Sequence, residues 1–96
     1  MYVQYDPKKA KKYGLKDDAD FIERFFLRKY RDPEWIDEVH IDFRAFNNRM
    51  HILVEIYYDP NQPGVEDKFT WLEQFFSIRV PRAILVKVPK TGESES

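Results

Sequence analysis

The chain has 96 residues, a formal net charge of −1, no cysteine and three glycines. That length fits one domain, and a composition that is 43% hydrophobic and 17% aromatic argues against a largely disordered chain. The missing cysteine excludes disulfides, thiolate metal sites and cysteine nucleophiles, and the balanced charge argues against a dedicated nucleic-acid binder.

The first five residues, MYVQY, read as a short strand in which Val3 and Tyr5 alternate with Gln4. Asp6 and Pro7 then suit an N-cap and the first helical position, and Gly14 suits the left-handed residue after a helix, so a lysine-rich helix is expected over about 7–13. A second helix is expected over 17–31, capped by Asp17 or Asp18. Asp20 and Glu23 lie near its start and Arg28, Lys29 and Arg31 at its end, a polarity that complements the helix dipole. Ile22, Phe26 and Tyr30 recur every four residues with Phe25 beside them, and Pro33 stops the helix near Arg31.

Apolar residues alternate from Val39 to Ala45 and again from Met50 to Tyr58, with Asn47-Asn48 between. Asparagine tolerates the positive φ that a two-residue type I′ turn requires, so a hairpin follows. Its register sets Ala45 against Met50, Phe43 against Ile52, Ile41 against Val54 and Val39 against Ile56. After the turn residues Asp59-Pro60 and Pro63-Gly64, Val65, Phe69, Leu72 and Phe76 share an arc of about 60° on a helix over about 65–76. Trp71 and Phe75 lie to one side and widen that arc to about 160°. A last strand is expected over 82–88, bracketed by Pro81 and Pro89 as on a sheet edge, with Ile84, Val86 and Val88 facing the core. Residues 91–96, TGESES, read as a flexible polar tail on a single domain spanning 1–90.

The element order is β-α-β-β-α-β, or αββαβ if the first strand does not form. That is a ferredoxin-like, two-layer α+β sandwich with an antiparallel sheet and its helices on one face. Alternation puts His40, Asp42, Arg44 and Phe46, then His51, Leu53, Glu55 and Tyr57, then Leu85 and Lys87, on the open face. This mixture of charged and large apolar groups reads as a protein interface, most simply between two copies, or as an ordinary solvated face. Phe46, Leu53, Tyr57 and Leu85 are the interface candidates on the sheet. Trp71, Phe75 and Phe21 are the candidates on the helices, where they also serve if the domain merely wraps its own core.

Other chemistry is thinly supplied. The three glycines are far apart, serine and threonine are scarce, and no nucleophile or phosphate loop stands out, so an enzyme is not expected. No apolar run approaches the roughly 20 residues that cross a bilayer, and the lysine-rich start is not followed by an apolar stretch, so a cytoplasmic location is expected. His40, His51 and Glu55 are candidate ligands for a divalent metal such as zinc, although the hairpin register holds the two histidines apart and sets Arg44 opposite His51. Lys8, Lys9, Lys11 and Lys12, with Tyr5 and Tyr13 nearby, are candidates for nucleic-acid contact. Asp17, Asp18 and Asp20 follow them and oppose that use.

The stretch EVHIDFRAFNNRMHILVEIYYDPNQPGVEDKFTWLEQFF, followed by RAILVKV, resembles in layout the cytoplasmic C-terminal domain of cation-diffusion-facilitator transporters. Tyr58-Asp59-Pro60 and Val65-Glu66 stand where that family has a Val-Asp-Pro-like segment and a Val-Glu-like helix start; Ile41 follows His40 where it usually has aspartate. The resemblance covers residues 17–88. It implies a dimerising domain and metal contacts at His40 and His51; transport is not inferred from it, since it does not extend to the family's transmembrane part.

Overall fold

A computed structural model describes residues 1–90; the tail expected at 91–96 lies outside them. The chain runs through β1 (Tyr2–Gln4), α1 (Pro7–Lys12), α2 (Lys16–Arg24), a π-helical turn (Phe25–Lys29), β2 (Ile36–Phe46), β3 (Arg49–Tyr58), α3 (Val65–Arg79) and β4 (Ala83–Pro89). It is an α+β fold with one four-stranded mixed sheet and three α-helices.

Local chemistry explains the boundaries. The Asp6 carboxylate accepts from the Lys8 and Lys9 amides at 3.0 and 3.4 Å, so α1 starts as expected. Gly14 follows it at φ 70°, where a side chain is disfavoured. The expected cap of the second helix is displaced. Leu15, without a side-chain acceptor, stands at the N-cap, and Asp17 and Asp18 lie in the first turn, where they act on the dipole instead. The expected single helix over 17–31 also divides, because the π turn takes over at Phe25. In the hairpin Asn47 and Asn48 adopt φ 51° and 64°, and all four expected apolar pairs form.

The sheet order is β1-β2-β3-β4, with β1 parallel to β2, β2 antiparallel to β3 and β3 parallel to β4. This corrects the antiparallel sheet expected from the sequence. β1 lies directly beside β2, so no strand is inserted between them as a split βαβ unit requires. Element order alone does not choose the neighbour of a three-residue strand such as β1.

β4 is an edge strand, as its prolines suggest, but its faces are reversed from expectation. Val54 pairs with Leu85 and Ile52 with Ala83, so Ala83 and Leu85 turn to the core while Ile84, Val86 and Val88 take the open face. Lys87 falls on the core side near the strand end. There its ammonium lies 5.0 Å from the Phe69 ring centre and 3.8 Å from Glu66, leaving its aliphatic stem to cover the rim.

The core fills the space between sheet and helices. Trp35, Phe69, Phe76, Ile22 and Leu72 meet Val39, Val54, Ile52 and Ile56 there, all essentially inaccessible to solvent. Trp35 satisfies its one polar group by donating Nε1–H to the Tyr30 hydroxyl at 3.0 Å. Among the described residues no polar or charged side chain is buried, and no helix is long and apolar enough to cross a membrane.

Candidate interaction surface

The aromatic side chains of α2, the π turn and α3 form one continuous group. A residue five positions on closes a π turn, and here the Tyr30 amide bonds the Phe25 carbonyl at 2.7 Å. This brings Tyr30 back over Phe25, with ring centres 5.5 Å apart. Phe25 is thereby buried and becomes the hub. Its ring centre lies 4.7 Å from Phe75 and 6.4 Å from Trp71, both nearly parallel to it. Trp71 stacks on Phe75 at 5.3 Å with 8° between planes, and Phe21 stacks on Phe75 at 6.3 Å. Offset stacking of this kind contributes about 0.5–1.5 kcal/mol per pair beyond the area buried.

Between the end of the π turn and the first half of α3 lies a cleft of about 450 Å³. Phe25, Tyr30 and Trp71 line it together with Lys29, Arg31 and Asp67 and with Lys68 and Asp32, which form an ion pair 2.6 Å long. Burial pushes the Tyr30 hydroxyl above its ordinary pKa, an effect partly offset by the Trp35 donor.

α3 is apolar on two sides. Val65, Phe69, Leu72 and Phe76 point into the core. Trp71, Phe75 and Ile78 recur at four and three residues, which sets them within an arc of about 60° that adjoins the core stripe, its centre about 120° away. Trp71 remains 50% exposed and Ile78 78% exposed. Trp71, Phe75 and Phe21 were legible as candidates from their helical angles. Ile78 was not, because the helix expected from the sequence ends at Phe76 and the observed one continues to Arg79.

The open sheet face is less available than alternation suggests. It carries Tyr2 and Gln4 on β1, then Glu38, His40, Asp42, Arg44 and Phe46, then His51, Leu53, Glu55 and Tyr57, and finally Ile84, Val86 and Val88. Leu53, in register with Asp42 and Ile84, is only 7% exposed, and Leu85 is on the opposite face altogether. Tyr57 packs on His40 with ring centres 4.4 Å apart; lost hydration, then the Glu55 and Glu38 carboxylates, push its phenol above the ordinary pKa. Phe46, at the hairpin end, is exposed but leans edge-on to His51 at 5.6 Å.

The candidate metal ligands do not converge. His40 Nε2 lies 2.8 Å from Glu38 and Nδ1 4.0 Å from Glu55, whereas His51 Nδ1 lies 3.0 Å from the Arg49 carbonyl, two pair rows away. Among the described residues no group of three or more histidine, aspartate or glutamate side chains is placed to hold a metal ion. The lysine cluster is partly committed within the chain. Lys9 reaches over the sheet edge to Asp42 at 3.1 Å, and Lys12 lies over its neighbour Tyr13. Desolvation pushes the Asp42 carboxyl up, but the Phe43 amide and the Lys9 ammonium outweigh it and hold the group below its ordinary value. Lys8 and Lys11 are exposed.

Comparison with family models, curated proteins and solved structures finds no match to the chain, so the layout resemblance over residues 17–88 gains no support from them.

Proposed function

We propose that this chain is a non-enzymatic protein-interaction domain and that it docks through the outer face of α3 rather than through the open face of its sheet. One observation carries this reading: Trp71 and Ile78, two of the six exposed large apolar side chains among the described residues, share one flank of α3 beside a cleft walled in part by aromatic rings. Single exposed apolar residues are ordinary on a protein surface, but a stripe joined to a cleft resembles the aromatic centre of an interface. The sheet face favours the role less, because Leu53 is covered and Glu38 is bonded to His40 and Asp42 to Lys9.

The test is co-purification from the native host with two variants, both checked for wild-type circular dichroism. Trp71→Ala is expected to lose the proteins that the wild-type chain retains, and Val86→Lys, on the sheet face, to keep them. Loss with Val86→Lys and retention with Trp71→Ala would overturn the assignment.

A further inference from the structure

We propose that the cleft between the π turn and α3 binds a free aromatic α-amino acid, its ring laid on the aromatic wall, its carboxylate held by Lys29 and Arg31 and its ammonium by Asp67. This assigns a small ligand to the molecule and goes beyond the docking of a protein on α3.

The cleft is a product of the π turn. Such turns are rare and frequently mark functional sites. In a regular α-helix the Tyr30 amide would bond to Phe26; here it bonds to Phe25 at 2.7 Å, and the chain leaves the turn in extended backbone at Tyr30, with φ −69° and ψ 125°. Lys29 and Arg31 flank Tyr30 in sequence, and all three line the cleft. α3 contributes Trp71 and, one helical turn before it, Asp67 and Lys68. The volume of about 450 Å³ lies within the roughly 300–1,000 Å³ usual for small-molecule sites.

The rings select a flat aromatic group. Their planes nearly agree, with 19° between Phe25 and Trp71, 29° between Tyr30 and Trp71 and 34° between Phe25 and Tyr30. An aromatic ring laid parallel to them extends the stack, which a saturated ring does not. The Tyr30 hydroxyl is held by Trp35 Nε1–H at 3.0 Å, and Trp71 rests on Phe75, so the wall is set before a ligand arrives.

The charges select the rest. Lys68 and Asp32 neutralise each other at 2.6 Å. Lys29, Arg31 and Asp67 have no ion-pair partner among the described residues, which leaves two cations beside Tyr30 and one anion on α3. An aromatic acid would leave Asp67 unmatched, and an aromatic amine would leave Lys29 and Arg31 unmatched. The phosphates of a nucleotide would meet Asp67 and Asp32 as like charges. An aromatic α-amino acid carries one group of each sign beside its ring, and hydrogen bonds between charged partners are the stronger kind.

The experiment is a titration of the purified full chain followed by amide-resolved NMR. L-Phenylalanine and L-tryptophan are expected to give saturable shifts at the amides of residues 29–32 and 67–71, with a dissociation constant below about 1 mM. 3-Phenylpropionate lacks the ammonium, phenethylamine the carboxylate and L-cyclohexylalanine the aromatic ring, and each should bind about fivefold more weakly or worse. Asp67→Asn should weaken L-phenylalanine about fivefold and leave 3-phenylpropionate unchanged. Lys29→Gln together with Arg31→Gln should weaken both and leave phenethylamine no weaker. The same spectra establish that each variant is folded. No saturable shift with either amino acid at millimolar concentration, shifts centred away from the cleft, or 3-phenylpropionate binding as tightly as L-phenylalanine would overturn the assignment, as would variants that weaken all three ligands alike.

Discussion

Tyr5, Asp20 and Lys16 tie the first strand to α2. The Tyr5 hydroxyl donates to Asp20 at 2.6 Å, and Lys16 reaches the same carboxylate at 2.7 Å. The Lys16 bond first, and the Tyr5 bond second, hold the Asp20 carboxyl below its ordinary pKa. A carboxylate depressed by folding adds stability above its unfolded pKa, about 3.9, and that part is lost as pH falls through the folded value. The melting temperature should therefore fall on acidification below about pH 4, and Asp20→Asn should flatten that fall. The difference at neutral pH is expected to be under about 1 kcal/mol, since the Lys16–Asp20 pair is largely solvated. An acid limb unchanged in Asp20→Asn, followed by circular dichroism, would remove Asp20 from this role.

At the scale of elements, the hairpin shows what makes structure legible. Its alternation and its turn residues make the same demand: Val39, Ile41, Phe43 and Ala45 reach one face only in the register that Asn47-Asn48 closes. Both asparagines sit at positive φ, so Asn48→Ala should cost about 1 kcal/mol and Asn48→Gly almost nothing, read from chemical denaturation. Equal losses in both variants would mean that the side chain, not the backbone conformation, matters there.

β4 lacked such agreement. Ala83, Ile84, Leu85 and Val86 are consecutive apolar residues, so either alternate set can face the core, and its parallel register on β3 decides. The π turn was hidden for a related reason. Ile22, Phe26 and Tyr30 fit an uninterrupted α-helix by spacing, yet a widened turn at Phe25 moves Tyr30 to the rim of the cleft. Trp71 and Phe75 could be found because their angle departs from the core stripe of α3. Ile78 was lost only through a helix end set three residues early.

For the molecule as a whole, the distribution of apolar surface sets the argument. One face of the sheet and the inner sides of the helices make the core, and on the open sheet face Leu53 is buried, in register with Asp42 and Ile84. Tyr2 and Phe46 stay exposed at the ends of that face, and the outer side of α3 is open too, where Phe25 and Phe75 support Trp71 from beneath and Ile78 stands clear. A small domain whose longest helix is apolar on both sides gains by covering the second side, since each large side chain removed from water is worth about 1.5–3 kcal/mol before the costs of association.

The most direct measurement is site-specific photo-cross-linking in the native host. A photoreactive phenylalanine analogue replaces Trp71 in one version of the chain and Val86 in another. Docking through α3 predicts a protein adduct of higher mass from position 71 and none from position 86; an adduct from position 86 with none from position 71 would contradict it.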